Sequence, residues 1–427
     1  MTEDNVDTHD QHTNDQHTNA QHTSDQHTSG PSTFGRRRLF RWAGAAGMLA
    51  ATAPLPVVTA CSPQTIPGSQ GSDANGLRLP PGFTSRIIAA GGQPVAGTTH
   101  VYGIFPDGGA TFVDHETPGG WYYVANHEVP FGGGGVTSFR FAPDGTIVDA
   151  YPICSWTSLN CAGGATPWGT WLTCEEFDGG GVWECDPTRP RSARRHAAMG
   201  LFAHEAAAVA IDDRVYLTED RPDGGFYRFT PDRTRDLSSG LLEIACGPTH
   251  ASEVGTVTWR RVPHVLADPV PCRRQVPDAL HFDGGEGIAT SNDSVWFTTK
   301  GDNRIWHYSI ATDAIDVRLD ADPTMLGGVD NLWVTDGRLG DILLVAEDGD
   351  DLQIVAVRSD NSMFEVVRVI GHPGSELAGP ALSPDRTRLY FSSQRGPAPN
   401  DLGPGAPGPI TGVTYEVTGP FADLFNA

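Results

Sequence analysis

The chain has little positive charge. It contains 29 Lys and Arg residues against 52 Asp and Glu residues, so its formal net charge is −23 at pH 7. Lys300 is its single lysine. A protein this acidic does not bind nucleic acid by neutralising phosphates, so we exclude that class of function. The same charge attracts divalent cations.

Long apolar runs are also scarce. The one candidate, from about residue 42 to residue 60, is rich in Ala and Gly and is broken by proline, so we expect no stable membrane span. Three arginines at positions 36 to 38 precede it, an order typical of a twin-arginine export signal. Residues 36–60 are therefore predicted to be a signal peptide that engages the twin-arginine translocase, and the protein is expected to work outside the cytoplasm.

The segments on either side of this signal lack an apolar face. Residues 1–35 repeat a His-, Thr- and Gln-rich unit and are predicted to be a disordered tail, and residues 61–77 form a Ser-, Gly- and Pro-rich tether. Cys61 follows Val58, Thr59 and Ala60, which is similar to the lipobox of bacterial lipoproteins. Acylated Cys61 would be the only link to a membrane. The alternative is cleavage after Ala60 and a soluble product.

From residue 78 onward one pattern occurs six times: two large apolar residues, a small residue and then polar groups. The copies are aligned on Asn126, Cys174, Glu219, Thr299, Glu347 and Ser393. The steps between them are 48, 45, 80, 48 and 46 residues. A period in the mid-forties, with Gly, Asp and Pro between short apolar runs, is typical of four-stranded propeller blades. We predict an all-β fold, a six-bladed β-propeller over residues 78–427, with the long step explained by an insertion at about 231–280.

Equivalent positions of a propeller converge on its axis, so the polar ends of the repeats should form a ring at one mouth of the channel. The acidic candidates are Glu175, Glu176, Glu205, Glu219, Asp220, Glu286, Asp330, Glu347 and Asp348. Together with the amide oxygens of Asn126 and Asn331, they are the hard oxygen ligands that Ca²⁺ prefers. A thiolate from Cys174 in the same set would indicate a transition metal beside the calcium.

The chain has 7 cysteines, and six follow Cys61. In an exported protein these can pair. One arrangement joins Cys154 to Cys161, Cys174 to Cys185 and Cys246 to Cys272. The other makes Cys174 a metal ligand and leaves Cys185 unpaired, and the spacing of the residues is compatible with both.

Several of these segments resemble one family in particular. They are Asn126-His127-Glu128, residues 163–176 with the run Trp171-Leu172-Thr173-Cys174-Glu175-Glu176, His204-Glu205-Ala206, residues 284–287 and Val329-Asp330-Asn331. They resemble the PhoX family of alkaline phosphatases over essentially the whole mature chain, which is similar in size to the compact branch of that family. The resemblance implies twin-arginine export, a six-bladed propeller and hydrolysis of phosphomonoesters by Ca²⁺ and Fe³⁺ ions at the channel mouth.

The resemblance also implies roles for single residues. Cys174 would be the thiolate ligand of iron, Glu175, Glu205 and Glu286 would be carboxylate ligands, and Asp330 and Glu347 would lie nearer the calcium ions. Lys300, Arg221 and Arg395, which lie on the repeat ends, are catalytic candidates for binding the remaining phosphate oxygens. Metal-assisted hydrolysis of this kind requires no nucleophile from the protein.

Two other functions are compatible with the same residues. A calcium-dependent propeller lactonase or phosphotriesterase would need a single calcium and neither thiolate nor iron. A non-catalytic lipoprotein would use the propeller face to bind a partner, and its metals would be structural. For the enzyme we expect a monomer that acts on small-molecule phosphate esters.

Overall fold

The computed structural model describes residues 71–247, 255–335, 341–349, 351–397 and 411–426. The predicted tail, the signal peptide, Cys61 and most of the tether lie outside these ranges, so those interpretations stay predictions. Within the described ranges no helix has the length and apolar character needed to cross a bilayer. The single α-helix found there, α1, has six residues (Phe421–Asn426).

Strands dominate the described part of the chain and form six antiparallel sheets of four or five strands. The first two strands are β1 (Leu77–Arg78) and β2 (Thr84–Ala90). Blade 1 contains β3 (Pro106–Val113), β4 (Trp121–His127), β5 (Gly134–Phe141) and β6 (Ile147–Thr157). Blade 2 contains β7 (Asn160–Ala165), β8 (Trp171–Glu175), β9 (Val182–Cys185) and β10 (Arg194–Arg195).

In blades 3 and 4, as in blades 1 and 2, the strands are named in order from the innermost strand outward. Blade 3 contains β11 (His204–Val209), β12 (Val215–Glu219), β13 (Phe226–Arg233) and β14 (Asp236–Cys246). Two further strands are β15 (Gly255–Thr256) and β16 (Thr258–Arg261). Blade 4 contains β17 (Gly285–Ser291), β18 (Ser294–Thr299), β19 (Arg304–Ser309) and β20 (Ala314–Asp320).

The last two blades close the ring. Blade 5 contains β21 (Val329–Val334), β22 (Leu343–Glu347), β23 (Gln353–Val357) and β24 (Met363–Val369). Blade 6 contains β25 (Leu377–Leu382), β26 (Arg388–Ser393) and β27 (Val413–Thr418). Strand β2 pairs with β27 as the outer strand of blade 6, and β1 pairs with β24. An N-terminal strand, β2, and the last strand of the chain, β27, therefore lie in one sheet and close the ring. The predicted six-bladed fold is confirmed.

Apolar layers between neighbouring blades hold the ring together. Tyr123 of blade 1 stacks on Tyr390 of blade 6 with ring centroids 4.7 Å apart, and Phe226 of blade 3 stacks on Phe297 of blade 4 at 4.6 Å. These rings are almost completely buried. Pairs of this kind add about 0.5–1.5 kcal/mol each beyond their buried area. Aromatic residues of the sequence repeats, such as Tyr123, Tyr390 and Phe297, thus pack one blade on the next.

The segment in which we expected the insertion has two parts. Its first part contains β14, the outer strand of blade 3. Beyond Cys246 the chain leaves the repeat, and β16 pairs with β14 while β15 pairs with β20 of blade 4. A 3-10 turn at Cys272–Arg274 follows, and Arg273 donates to Glu219 at 2.8 Å. The added chain therefore packs beside blades 3 and 4, and its residues 248–254 lie outside the described ranges.

The two inner strands of every blade pair in an equivalent way. The first residue of the innermost strand lies opposite the last residue of the second strand in the pairs Pro106 and His127, Asn160 and Glu175, His204 and Glu219, Gly285 and Thr299, Val329 and Glu347, and Leu377 and Ser393. The register then shifts between the first and fourth residues of the innermost strand in blades 1 to 5, and between the second and fifth residues in blade 6. A bulge re-aims the side chains at the point where it occurs.

In every blade except blade 5, where it is Asn331, the residue after the bulged position is Gly or Ala, because the inner strands approach one another at the axis. A Cβ on Gly108 would lie 2.6 Å from the Ala162 Cα, and a Cβ on Gly287 would lie 2.5 Å from the Leu332 backbone nitrogen. Below this level the inner strands line a cavity of about 210 Å³. The bulged residues therefore lie directly above the channel, at one mouth.

Candidate metal centre

The bulges bring one side chain from each blade to the channel mouth. The second residues of the six innermost strands are Asp107, Cys161, Glu205, Glu286, Asp330 and Ala378. All six are buried. Five of them carry a carboxylate or a thiol that can bind a metal. The residue type at this position differs from blade to blade, but the structural position is the same.

A second layer comes from the residues that directly follow the second strands. These are Glu128, Glu176, Asp220, Lys300, Asp348 and Gln394. Donor atoms lie within 4.8 Å of one another in four groups: Asp107, Glu128 and Cys161; Cys161, Glu176 and Glu205; Glu205, Glu286 and Asp330; Asp330, Asp348 and Glu376. Each group shares a residue with the next. We call these nine residues, eight carboxyl groups and one thiol, the mouth cluster.

Two cationic side chains among the described residues contact the mouth cluster. Lys300 Nζ lies 3.0 Å from Glu286 Oε1, 2.7 Å from Asp330 Oδ2 and 3.2 Å from Asp348 Oδ2. Arg395 Nη1 lies 3.0 Å from Glu376 Oε2, and its Nη2 lies 3.8 Å from Glu128 Oε2. These two positive charges do not balance eight carboxylates. Within the part of the chain that the structure describes, the cluster is therefore short of positive charge.

Glu205 shows this deficit most clearly. Its side chain is 1% exposed, and neither carboxylate oxygen has a hydrogen-bond partner among the described residues. Burial, and then the negative charges of Glu286 and Glu176, raise the pKa of Glu205 well above its ordinary value. Burying an ionised carboxylate without a partner is costly, and a bound cation would offset this cost.

Other members of the mouth cluster show the same effect. Burial is the main cause that raises the pKa of Asp107 and of Glu176 well above the usual range, and neighbouring carboxylates add to it. Burial followed by the charges of Asp107 and Glu205 raises the pKa of the Cys161 thiol. A thiolate at this position therefore requires a cation close to the sulfur.

The donor set fits metal ions of two kinds. Carboxylate oxygens in this number suit hard cations such as Ca²⁺, which takes 6–8 oxygen ligands. The sulfur of Cys161 is a softer donor and suits a transition metal. Two of the four donor groups thus contain carboxylates only, and the other two combine the Cys161 sulfur with carboxylates, Asp107 and Glu128 in one and Glu176 and Glu205 in the other.

The structure brings seven of the predicted site residues to this centre. Glu205, Glu286 and Asp330 form one of the four donor groups, and Glu176 and Asp348 belong to two others. Lys300 and Arg395 contact the cluster as described above. The predicted ligand Asp220 lies at its margin, where its side chain hydrogen-bonds to Glu176.

Cys174 does not reach the mouth cluster, which corrects the ligand assigned to iron. Its side chain is fully buried in an apolar cluster with Leu172 and Val182, and burial raises its pKa. The thiol at the mouth is Cys161. The physical reason is a shift of one residue in the sequence alignment of blades 1 and 2, because Glu175 rather than Cys174 is equivalent to Glu219. A one-residue shift turns a strand side chain to the opposite face.

Glu175 and Glu347, two other predicted ligands, stabilise turns within their own blades. Glu175 accepts from the Gly181 N–H at 3.2 Å, and Glu347 accepts from the Gln353 N–H at 3.0 Å. Glu219 accepts from the Gly225 N–H at 3.0 Å in the same way. In each case the donor lies six residues further on, in the connection to the third strand. Burial raises the pKa of Glu347 to about 7. None of the three belongs to a donor group of the mouth cluster.

Asn126 and Arg221 also lie outside the donor groups. Asn126 donates to the carbonyl oxygens of Cys161 at 3.0 Å and Ala162 at 2.9 Å, and it accepts from Trp171 Nε1 at 2.9 Å. It therefore holds the strand that carries Cys161 rather than a metal. Arg221 forms an ion pair of 3.1 Å with Asp178, whose side chain is exposed at the rim.

The sequence interpretation missed Asp107, Glu128, Cys161 and Glu376. A signal for two of them was present, because Asp107 and Cys161 precede a small residue just as Glu205 precedes Ala206. Alignment on the innermost strands would have found both. Glu376 carried no such signal, since it lies one residue before β25 and reaches the cluster from outside the repeated position.

The family model described as alkaline phosphatase PhoX matches residues 135–182 and 177–314. Pseudomonas fluorescens PhoX in complex with vanadate, a transition state analogue, is 17% identical, with 82% of this chain and 97% of that chain covered and a TM-score of 0.67. No curated protein matches the chain.

Two other solved propeller-like structures are more distant. A putative gluconolactonase is 12% identical, with 80% of this chain and 93% of that chain covered and a TM-score of 0.44. A catalytically inactive virginiamycin B lyase from Staphylococcus aureus, solved with quinupristin, is 14% identical, with coverages of 79% and 99% and a TM-score of 0.38.

Proposed function

We infer that this chain, which belongs to the PhoX family of alkaline phosphatases, is a metal-dependent phosphomonoesterase that works at the mouth cluster. The family match supports a hydrolase of the alkaline phosphatase type, as the sequence resemblance implied. The observation that carries the metal dependence is Glu205, a buried carboxylate without a hydrogen-bond partner among the described residues, within a cluster of eight carboxyl groups. The proposed ions are Ca²⁺ and Fe³⁺.

The donor groups suggest which residues would hold each ion. Cys161, Glu176 and Glu205 would hold iron, because this group combines the sulfur donor with Glu205, whose oxygens have no hydrogen-bond partner among the described residues. Calcium would bind in the two groups that contain carboxylates only, Glu205 with Glu286 and Asp330, and Asp330 with Asp348 and Glu376. When bound, such cations would neutralise charge on the phosphate oxygens and activate water for the attack on phosphorus.

Lys300 and Arg395 supply the remaining positive charge of the proposed site. The ammonium group of Lys300 lies among three carboxylates at the mouth, where it would attract a phosphate dianion and stabilise the charge that develops on its oxygens. Arg395 approaches from blade 6, and its planar guanidinium can donate two parallel hydrogen bonds to a phosphate. The two side chains would thus orient the substrate from different blades.

Metal removal tests the proposal directly. We expect a chelator to lower hydrolysis of 4-nitrophenyl phosphate by about 100-fold or more, the scale expected when several kcal/mol of charge stabilisation is lost. Ca²⁺ together with iron should restore the activity, and elemental analysis should find both metals in the untreated protein. A chelated protein that stays folded by circular dichroism and stays fully active would contradict the proposal. Hydrolysis of lactones or phosphotriesters with calcium alone would favour the alternative enzyme.

We also propose that the protein is exported by the twin-arginine route and anchored through Cys61. The arginines at positions 36 to 38 and the lipobox-like residues before Cys61 support this. Replacing Arg37 and Arg38 by lysine is expected to retain the protein in the cytoplasm. Cys61→Ala is expected to move it from the membrane fraction to the soluble fraction. Membrane attachment that persists in Cys61→Ala would show that no lipid on this residue holds the protein.

A further inference from the structure

Two thiols meet at the boundary between blades 1 and 2, away from the mouth cluster. Cys154 lies on β6, the outer strand of blade 1, and Cys185 ends β9 of blade 2. Both are buried, at 2% and 0% exposure, and they share one apolar cluster with Ile153 and Trp171. The two thiols are close enough for each to shift the pKa of the other. The structure thus brings together two cysteines 31 positions apart.

Hydrogen bonds between the two blades hold this contact. The Ala193 N–H donates to the Ile153 carbonyl at 3.2 Å, and the Arg191 N–H donates to the Pro152 carbonyl at 3.0 Å. The Pro187 carbonyl accepts from Ser138 Oγ at 2.8 Å and from Tyr151 Oη at 3.0 Å. These bonds join the chain after β9 to β5 and β6. The thiols are therefore adjacent because the backbones are held together, not because of one side-chain rotamer.

We propose that Cys154 and Cys185 form a disulfide bond that joins blade 1 to blade 2. As the Sγ–Sγ bond forms, the two thiols release two protons and two electrons. An oxidised dithiol donor, such as glutathione disulfide or a disulfide oxidoreductase, accepts them as its own disulfide opens into two thiols. The proposal does not rest on the proposed phosphatase activity, since it concerns residues outside the mouth cluster.

The order of attack follows from the two environments. The neighbouring Cys185 thiol is the main cause that lowers the pKa of Cys154, so Cys154 provides the thiolate that attacks the donor. Cys185 then attacks the mixed disulfide at the Cys154 sulfur and releases the second thiol of the donor. Because both sulfurs are buried, the donor reaches Cys154 as the chain folds or when the end of β6 opens locally.

The bond would also act on the strand that carries Cys161. Cys154 Sγ lies 3.8 Å from Thr157 Oγ1, and Thr157 donates to Asn160 Oδ1 at 2.6 Å. Asn160 directly precedes Cys161, so a fixed Cys154 steadies the turn that leads to the mouth cluster. The structure places Cys161 in that cluster and Cys174 in a different apolar layer. The proposed pair of Cys154 with Cys185 differs from both arrangements that the sequence left open.

Peptide mapping of the folded full-length protein tests this pairing. The protein is incubated with glutathione disulfide, its free thiols are alkylated under denaturing conditions, and the chain is cut with chymotrypsin. Cleavage after Trp156, Trp171 and Trp183 places Cys154, Cys161, Cys174 and Cys185 on separate peptides. We expect one linked pair containing Cys154 and Cys185, and a loss of two free thiols. Linkage of Cys154 to Cys161, or full alkylation of Cys154 and Cys185, would overturn the proposal.

Stability measurements give a second readout. The oxidised wild type is expected to unfold at a higher temperature than the reduced wild type, because a bridge between blades restricts the unfolded chain. Cys154→Ser and Cys185→Ser should each abolish this difference, and in each the other cysteine should be alkylated. Cys174→Ser is the matched control, since it also replaces a buried thiol, and it should keep both the linked peptide and the shift. A redox-dependent shift that persists in Cys154→Ser would overturn the assignment.

Discussion

Cys161→Ser is expected to lose iron and to lower phosphomonoesterase activity by about 100-fold or more, on the scale of several kcal/mol that a catalytic metal supplies. Cys161 is the one thiol within the mouth cluster as the structure describes it. Glu176 and Glu205 are the carboxylates of the donor group proposed to bind iron. A serine hydroxyl is a hard, weakly acidic donor that does not replace a thiolate. Elemental analysis and a colorimetric phosphatase assay measure both effects.

The control for this experiment is Cys174→Ser. Cys174 packs between Leu172 and Val182 and has no carboxylate donor group, so the variant should retain iron and activity even if a buried hydroxyl lowers its stability. A ferric thiolate absorbs visible light, so colour should disappear in Cys161→Ser and persist in Cys174→Ser. The opposite result, with colour and activity lost only in Cys174→Ser, would show that Cys174 is the ligand after all.

Lys300→Gln is expected to lower kcat/KM for phosphomonoesters by about 100- to 1000-fold, the usual effect of removing one preorganised donor to a developing anion. The ammonium group contacts Glu286, Asp330 and Asp348. Metal content should stay the same, because the carboxylate ligands are unchanged. Steady-state kinetics with elemental analysis of the same sample measures the effect.

Arg221→Gln is the matched control for Lys300→Gln. Arg221 was also predicted to bind phosphate, but the structure pairs it with the exposed Asp178 at the rim. Such a pair contributes about 0–1 kcal/mol, so activity and stability should hardly change. If both variants lose activity equally, Arg221 takes part in substrate binding and the assignment of the site to the mouth cluster is too narrow. If Lys300→Gln stays fully active, the proposed role of Lys300 is wrong.

The fold could be predicted because its evidence is periodic. Short apolar runs such as the one ending at Glu219 recur every 45 to 48 residues, and only one step is interrupted. A propeller buries the apolar faces of neighbouring blades against each other, so each repeat must carry the same apolar pattern. The aromatic positions Tyr123 and Phe297 illustrate this, since both were part of the repeat and both pack between blades. The long step also marked where extra chain would be found.

The site was predicted less well, because ligand geometry depends on strand register. Glu205, Glu286 and Asp330 were expected at the mouth and lie there, since each begins an innermost strand. Cys174 was assigned by counting along the second strand, where an error of one residue reverses the face of the sheet. The bulge that turns Cys161 toward the axis shows in the sequence only as a polar residue before the small residue Ala162, a signal that an alignment on the second strands does not use.

The amino-acid sequence determined the architecture of this protein, the acidic character of one end of its channel and the presence of a single lysine among those acids. These properties follow from composition and periodicity, which each blade carries locally. Tertiary structure alone decided which carboxylates meet, that Cys161 rather than Cys174 joins them, and that Cys154 contacts Cys185 across two blades. The reason is physical: these contacts join side chains from different blades, and their distances are set by bulges and by the packing of blades around the axis.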